Sequence, residues 1–458
     1  MTTEEITTLP AKNRLPYIIL ITSVAAFGGF LFGYDTAVIA GAIGYLQIKF
    51  NLSPLMVGWA ASSAIWGCVL GAMSAGYLSD RFGRKAVLIG TAVLFALPAY
   101  GSAVVNDLTS FIIMRLLGGI GVGAASMLCP MYISEIAPSR LRGRLVTLYQ
   151  LAIVLGINII YVINLKISQA GDQAWNIEYG WRYMLGSEVI PAVVFFILLF
   201  FVPESPRWLA AQGRDEAAKK ILDKINGQAV AQEIFAEISE SLRDEKGRLS
   251  DLVDKKLRKP LLIGVVLALF SQITGINAVI YYAPEIFKSI GFGAESAFTQ
   301  TIIIGVVNML FTLVAIWLID RAGRRSLLIW GVAGMIICLF ATGICFHFHF
   351  DKGPWVLIFI LGYIASFAVS LGPIPWVLMS EIFPTKIRGI AMSLATLVLW
   401  IGVVAITQLT PYFLGTFGGA TTFWIFMVNA VIIWIFTIKK IPETKNRTLE
   451  EIEKSWER

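Results

Sequence analysis

Runs of about twenty apolar residues alternate with short polar segments along nearly all of the 458-residue chain. That length is one helical crossing of a bilayer core. The pattern predicts about twelve membrane-spanning helices, near 16–43, 55–79, 86–105, 108–130, 145–167, 182–202, 260–290, 297–319, 327–346, 354–379, 390–413 and 421–438. Residues 203–259 differ in kind. Segments 215–225 and 230–245 carry small apolar residues at helical spacing among charges of both signs, which predicts surface helices. The expected fold is all-α: a polytopic membrane protein of two six-helix halves, 1–202 and 260–440. A linker, 203–259, joins them, and the tail 441–458 reads as a short amphipathic helix.

Internal repetition supports the division. Asp80-Arg81-Phe82-Gly83-Arg84-Lys85 returns as Asp320-Arg321-Ala322-Gly323-Arg324-Arg325. Ser134-Glu135-Ile136-Ala137-Pro138, followed by Leu141-Arg142-Gly143, returns as Ser380-Glu381-Ile382-Phe383-Pro384 and Ile387-Arg388-Gly389. Pro203-Glu204-Ser205 returns as Pro442-Glu443-Thr444. Three motifs in the same order at nearly the same offset argue for a duplicated six-helix unit, the pattern of transporters with a site between halves.

Composition agrees and narrows the class. The chain is 57% hydrophobic and 15% charged, against about 45–50% and about 25% in ordinary soluble domains. The net charge of +7 does not point to nucleic acid, because the cations gather in alternate loops. These are Lys12/Arg14, Arg81/Arg84/Lys85, Arg140/Arg142/Arg144, the linker, Arg321/Arg324/Arg325, Lys386/Arg388 and Lys439/Lys440. The positive-inside rule puts both termini in the cytoplasm, with those loops facing anionic lipid. No removable signal peptide is expected at the N-terminus. Cys68, Cys129, Cys338 and Cys345 lie in apolar runs without CxxC spacing and read as small buried hydrophobes. His347 and His349 have no third ligand in sequence, so no metal and no cofactor are expected. Gly118-x2-Gly121-x-Gly123 sits inside an apolar span with no strand before it, which suits close helix packing rather than a nucleotide loop. The absence of a Walker motif or a nucleophile elbow disfavours ATP-driven pumping and catalysis.

Asp35 stands out, a single carboxylate inside Gly28-Gly29-Phe30-Leu31-Phe32-Gly33-Tyr34-Asp35-Thr36. An ionisable group at that depth costs roughly 2.5–3.5 kcal/mol unless it faces a cavity or a partner. Arg115 in the fourth span is the other isolated charge of the first half and its natural partner. Burial favours the neutral acid and a cation the charged one, so the pair can serve as a proton site or as a structural ion pair. Glu188, in the sixth span, is a secondary candidate for the same path, with packing or an outer vestibule as its plainer use.

At this point the chain resembles the sugar porter family of the major facilitator superfamily. The residues carrying this are Gly33-Tyr34-Asp35-Thr36, Gly76-x3-Asp80-Arg81-x-Gly83-Arg84-Lys85, Pro203-Glu204-Ser205-Pro206-Arg207-Trp208-Leu209, Gln272-x2-Gly275-Ile276-Asn277-x3-Tyr281-Tyr282-Ala283-Pro284 and Pro442-Glu443-Thr444. The tract Gly180-Trp181-Arg182-Tyr183-Met184 with Ser187-Glu188-x2-Pro191 is most similar to the bacterial D-xylose–proton symporter branch.

The resemblance implies proton-coupled uptake of a pentose or hexose, with Asp35 as the proton site. It assigns Gln150, Gln272, Asn277 and Trp376 to the sugar, with Asn308, Trp400 and Tyr281 nearby. Helix–helix packing is the alternative use of such amides and rings. Ser271 and Leu399 depart from the family's usual Gln and Asn/Gln, which moves the hydroxyl pattern the site accepts. The repeated motifs imply a cytoplasmic gate of Asp80, Arg84, Glu135, Arg142, Glu204, Arg207, Asp320, Arg324, Glu381 and Arg388 that ties the halves together in the outward-open state. Topology anchoring alone is the plainer reading. The expected partners are a sugar, protons and membrane lipid, with a monomer as the working unit. A facilitative uniporter with Asp35–Arg115 as a structural pair is the nearest alternative. A transport-silent receptor or a hydrolase would need a long tail or a pair of catalytic carboxylates.

Overall fold

A computed structural model describes residues 14–243, 258–350, 354–383, 388–445 and 452. Among them every regular element is helical. The first half holds α1 (Leu15–Lys49), α2 (Pro54–Phe82), α3 (Arg84–Val104), α4 (Leu108–Ile136) and α5 (Ser139–Ser168). A broken crossing follows: the short α6 (Gln173–Trp175), a π-helical turn Asn176–Gly180, α7 (Trp181–Gly186) and α8 (Val189–Leu199). The linker carries α9 (Pro206–Ala211), α10 (Asp215–Asn226) and α11 (Gln228–Arg243). The second half holds α12 (Arg258–Ile273), α13 (Ile276–Ser289), α14 (Ala294–Ala322), α15 (Arg324–His347), α16 (Trp355–Val369), α17 (Ile374–Ile382) and α18 (Arg388–Lys440). The expected tail helix falls almost wholly outside the described residues.

Eleven helical stretches among the described residues are long and apolar enough to cross a membrane. The last, Ile390–Lys440, has 51 residues, roughly 76 Å of helix against a hydrocarbon core of roughly 30 Å. Gly418, with φ at 77°, breaks it in the middle, so it supplies two passes and the total is twelve. Outward faces are apolar: Ile190, Phe201 and Trp330 are 71%, 75% and 76% exposed. Such exposure is costly in water and neutral against lipid tails.

Three crossings are interrupted. The seventh crossing breaks at Thr274–Gly275, inside the Gln272-x2-Gly275 motif, and Gly275 takes φ of 99°, which a side chain rarely tolerates. The sixth and tenth crossings, read as continuous, are broken too. Pro373 and Pro375 lack the N–H groups that the carbonyls of Val369 and Leu371 need, and α16 gives way to α17 there. Pro191 does the same to Ser187, whose carbonyl takes only the longer bond from Ile190 N–H at 3.4 Å. A few helices start on an ordinary side-chain cap. Asp107 accepts from Ser110 N–H at 2.8 Å to start α4, and that bond holds its carboxyl below the usual carboxylate range.

Packing divides the chain into two compact units that cut across the repeat. The first holds the described residues of 1–36, 66–159 and 182–245, the second those of 37–65, 160–181 and 246–458. Helices α1, α2 and α5 are therefore shared. In the first unit α1 crosses α5 at backbone distance: a Cβ on Gly33 would run into the carbonyl of Ile153, and one on Gly156 into that of Phe30. The linker is held there as well, with Trp208 Nε1 donating to Asp80 O at 2.9 Å and the Lys224 ammonium 4.2 Å from the Tyr17 ring centre.

In the second unit the end segments of α1, α2 and α5 pack on second-half helices. Ser62 Oγ donates to Gln408 Oε1 at 2.5 Å, and Gln408 Nε2 donates to Leu55 O at 3.2 Å. Tyr161 OH reaches Ile280 O at 2.9 Å. The Lys288 ammonium lies 5.3 Å from the Tyr45 ring centre while pairing with Glu285 at 2.7 Å.

Candidate functional site

The close α1–α5 crossing at Gly33 lies two residues before Asp35, which is 5% exposed. Arg115, at 4%, comes from α4 and donates through Nη1 to Asp35 Oδ1 at 2.5 Å and through Nη2 to Asp35 O at 3.4 Å. Glu188, at 2%, sits at the proline-made break between α7 and α8, close enough to Asp35 for a side-chain hydrogen bond. The sequence left Glu188 with packing or an outer vestibule as its plainer use; the geometry makes it a neighbour of Asp35. Next to it, Tyr34 OH and Ser187 Oγ are 2.7 Å apart. The useful signal was Pro191, four residues after Ser187.

A second polar group lies in the second unit, around the broken seventh crossing. Asn277 Nδ2 donates to Gln272 Oε1 at 2.7 Å, Gln272 Nε2 to Ser271 Oγ at 2.9 Å, and Ser271 Oγ to Ala268 O at 2.8 Å. The chain has a direction, because each donor proton is used once. It leaves one N–H and the Oδ1 of Asn277, and one N–H of Gln272, for a ligand. Ser271 is 1% exposed and acts on Gln272 rather than outward. Ser271→Ala is therefore expected to weaken apparent sugar affinity about 3- to 10-fold, measured by competitive uptake, because one orienting hydrogen bond is lost. Tyr363 OH donates to Thr274 O at 3.1 Å, satisfying a carbonyl freed by the break.

The other residues assigned to the sugar are spread over several helices. Tyr281 is buried on α13, while Tyr282 beside it donates to Thr407 O at 2.8 Å. Trp400 is buried on α18, Trp376 on α17 is 40% exposed, and Asn308 on α14 is half-buried. Gln150 is half-buried on α5, in the first unit.

The repeated motifs build the same device twice. Arg84 Nη1 donates to Asp80 at 3.0 Å, and its Nε and Nη2 grip Glu135 at 3.1 Å each. Glu204 Oε1 accepts from Arg84 N–H at 2.9 Å at the start of α3. In the second half Arg324 Nε and Nη2 reach Glu381 at 3.2 and 2.9 Å, and Glu443 accepts from Arg324 N–H at 3.0 Å and Arg325 N–H at 3.1 Å. These bonds close within each repeat. Ties between the halves, expected of an outward-open state, are not among them. Arg207 lies on the exposed side of α9; the side chains of Arg142, Asp320 and Arg388 lie outside the described residues. Glu204→Ala removes a carboxylate acceptor at a helix N-terminus, so thermal unfolding in detergent should show a loss of about 1–2 kcal/mol.

Comparison with known proteins identifies the family. Residues 21–456 match the family described as Sugar (and other) transporter. The arabinose-proton symporter of Bacillus subtilis (strain 168) is 47% identical over 446 residues, 97% of this chain and 96% of that one. Among solved structures, the inward open conformation of the xylose transporter from Escherichia coli superposes with a TM-score of 0.86 at 41% identity, covering 96% of this chain and 100% of that one. The major facilitator superfamily proton:xylose symporter bound to 6-bromo-6-deoxy-D-glucose gives 0.80 at 41% identity, covering 97% and 100%. Motif, fold and whole-length similarity coincide, and the chain belongs to the sugar transporter family of the major facilitator superfamily.

Proposed function

We propose that the chain takes up a monosaccharide of the arabinose and xylose class together with a proton, by alternating access. One observation carries the coupling: two carboxyls, Asp35 and Glu188, share a buried site with one guanidinium, Arg115. With both acids ionised the site holds one negative charge too many, and an uncompensated buried charge is expensive. Charge balance is met with one proton on the carboxyl pair. A purely structural ion pair has no use for the second acid. Loss of that proton leaves a site that draws another from the side then open.

Gln272 and Asn277 present the free N–H and C=O groups described above, and the half-exposed Trp376 offers a ring face for the apolar side of a sugar. Gln150, Asn308, Tyr281 and Trp400 are assigned to the sugar by family resemblance. The bonds of Gln408, Tyr161 and Ser62 close one end of the pathway, which suits an inward-open carrier on its outer side. The higher TM-score with the inward open relative agrees with this. Both termini then face the cytoplasm, as do the paired charges of Arg84 and Arg324, and the halves 1–202 and 260–440 rock about the sugar. One chain holds a complete pathway, so a monomer suffices.

Uptake into proteoliposomes with and without an inward proton gradient tests the reading, run against arabinose, xylose, glucose, galactose and fructose. Accumulation of arabinose or xylose that a protonophore collapses is the expected result. Equilibration at the same level with and without the gradient would leave a facilitative uniporter instead.

A further inference from the structure

The Asp35–Glu188 contact depends on where a loosened stretch of helix points. The Glu188 N–H reaches Leu185 O at 3.4 Å, and the Ser187 carbonyl receives Ile190 N–H at 3.4 Å. Pro191 removes the N–H that would hold the Ser187 carbonyl in a regular helix. On either side the chain is well anchored. Upstream, the Arg182 guanidinium closes the C-terminal end of α3 through Ala103 O at 3.0 Å, Val105 O at 2.5 Å and Asn106 Oδ1 at 2.9 Å. Downstream, α8 resumes with Ala192 N–H on Glu188 O at 3.1 Å. The weak point is Ser187–Glu188 itself.

A side-chain tie between hydroxyls crosses to that point from α1. Tyr34 is 1% exposed and its hydroxyl lies 2.7 Å from Ser187 Oγ. Ser187 Oγ donates its single proton to Met184 O at 2.6 Å, so Tyr34 is the donor between the two hydroxyls. The relay runs Tyr34 OH to Ser187 Oγ to Met184 O. Tyr34 is bonded to Asp35 in sequence and Ser187 to Glu188, so the bond fixes the spacing of the two adjacent carboxyls. The groups facing those carboxyls are Arg115 from α4, Cys68 from α2 and Tyr34 from α1.

We propose that Tyr34 and Ser187 are a positioning pair: their hydrogen bond holds Glu188 against Asp35 and thereby sets the pH at which sugar uptake engages. The inference rests on the reading that the carboxyl pair carries the coupled proton. Parting two carboxyls weakens their hold on a shared proton. Without the tie, uptake therefore demands a more acidic outer side.

The test uses the full chain in proteoliposomes, recording proton-driven accumulation and sugar counterflow across pH. Counterflow moves no net proton and is the reference. Tyr34→Phe keeps the ring, which packs against Phe30 at 5.9 Å between centres, and removes only the hydroxyl. The expected result is an accumulation profile displaced by about half a pH unit or more toward acid, with the ratio of accumulation to counterflow at neutral pH down about 3- to 10-fold. Ser187→Ala should displace the profile equally, the double variant no further, and Ser187→Thr should restore it. If Tyr34→Phe does not fold, the Ser187→Ala and Ser187→Thr pair gives the same reading. Asp35→Asn separates the two levels. If it still accumulates sugar, the proton-site reading falls; if it does not, and the Tyr34 and Ser187 profiles overlay the wild type, the positioning inference is overturned.

Discussion

Asp35→Asn is expected to abolish proton-driven sugar accumulation while sugar counterflow continues. One charge crossing about 100 mV yields about 2.3 kcal/mol, enough for an accumulation of roughly 50-fold. Removal of the coupling acid should bring that ratio to about one. Breaking a buried ion pair by removing one partner usually costs about 3–5 kcal/mol, because the other charge is stranded. Here the geometry supplies a substitute. Glu188 lies beside Asp35 and can serve as the counterion of Arg115 once Asp35 is neutral. The single variant should therefore fold and bind sugar. Asp35→Asn combined with Glu188→Gln strands the guanidinium and should melt well below either single variant. Thermal unfolding in detergent together with counterflow measures both statements. Retained accumulation in the single variant would remove Asp35 from the coupling step.

Gly58→Leu should nearly stop transport by parting α2 from α18. Gly58 lies on the face of α2 between Leu55 and Ser62, whose carbonyl and hydroxyl hold the Gln408 amide at 3.2 and 2.5 Å. At Gly58 the α2 backbone meets the Gln408 carbonyl with no room for a Cβ. Any side chain must separate α2 from α18, and with them the bonds of the clasp. A carrier cycles only if both closed states are reachable, so removing one lowers exchange by at least about 10-fold, equivalent to roughly 1.4 kcal/mol on the equilibrium. Gln408→Ala removes the side-chain bonds and leaves the close approach, so its effect should be smaller, about 3-fold. Labelling of an engineered cysteine at Ser62, in a chain lacking the four native cysteines, reads the state directly. Faster labelling is expected in Gly58→Leu. Unchanged labelling with slow exchange would mean the substitution acts elsewhere.

The fold was largely legible because lipid imposes a simple rule. Every backbone polar group in the hydrocarbon must be paired within its own helix, so the apolar runs alone announce the crossings. The duplicated motifs were legible for a similar reason: Asp80, Arg84, Glu135 and Glu204 sit at helix ends, where charge, turn glycines and capping carboxylates leave a strong local pattern. What escaped were the interruptions at Ser187–Glu188 and Ser370–Pro373. A proline inside an apolar run marks a break only where neighbouring helices can take up the freed carbonyls.

Ser271 shows the limit from the other side. Its departure from the family pattern was visible, and read as a change in what the sugar meets. The hydrogen bonds give it a different part, since its hydroxyl is committed to Ala268 O and to the amide of Gln272. A side chain's type is written in the chain; the partner that uses up its hydrogen bonds is a matter of neighbours.

The sequence by itself determined the class, the twelve crossings, the duplicated motifs, and the presence of a buried carboxylate at Asp35. These follow from composition and periodicity, which depend on local chemistry and on the solvent around each helix. Only the tertiary structure decided that Asp35 has two partners and not one, that Gln272 and Asn277 are linked in a directed chain, and that Gln408 clasps α2. The contacts of Asp35 with Arg115 and of Gln408 with α2 join residues 80 to 353 positions apart. They depend on helix crossing points set by backbone approach at Gly33 and Gly58, and no local pattern encodes those distances.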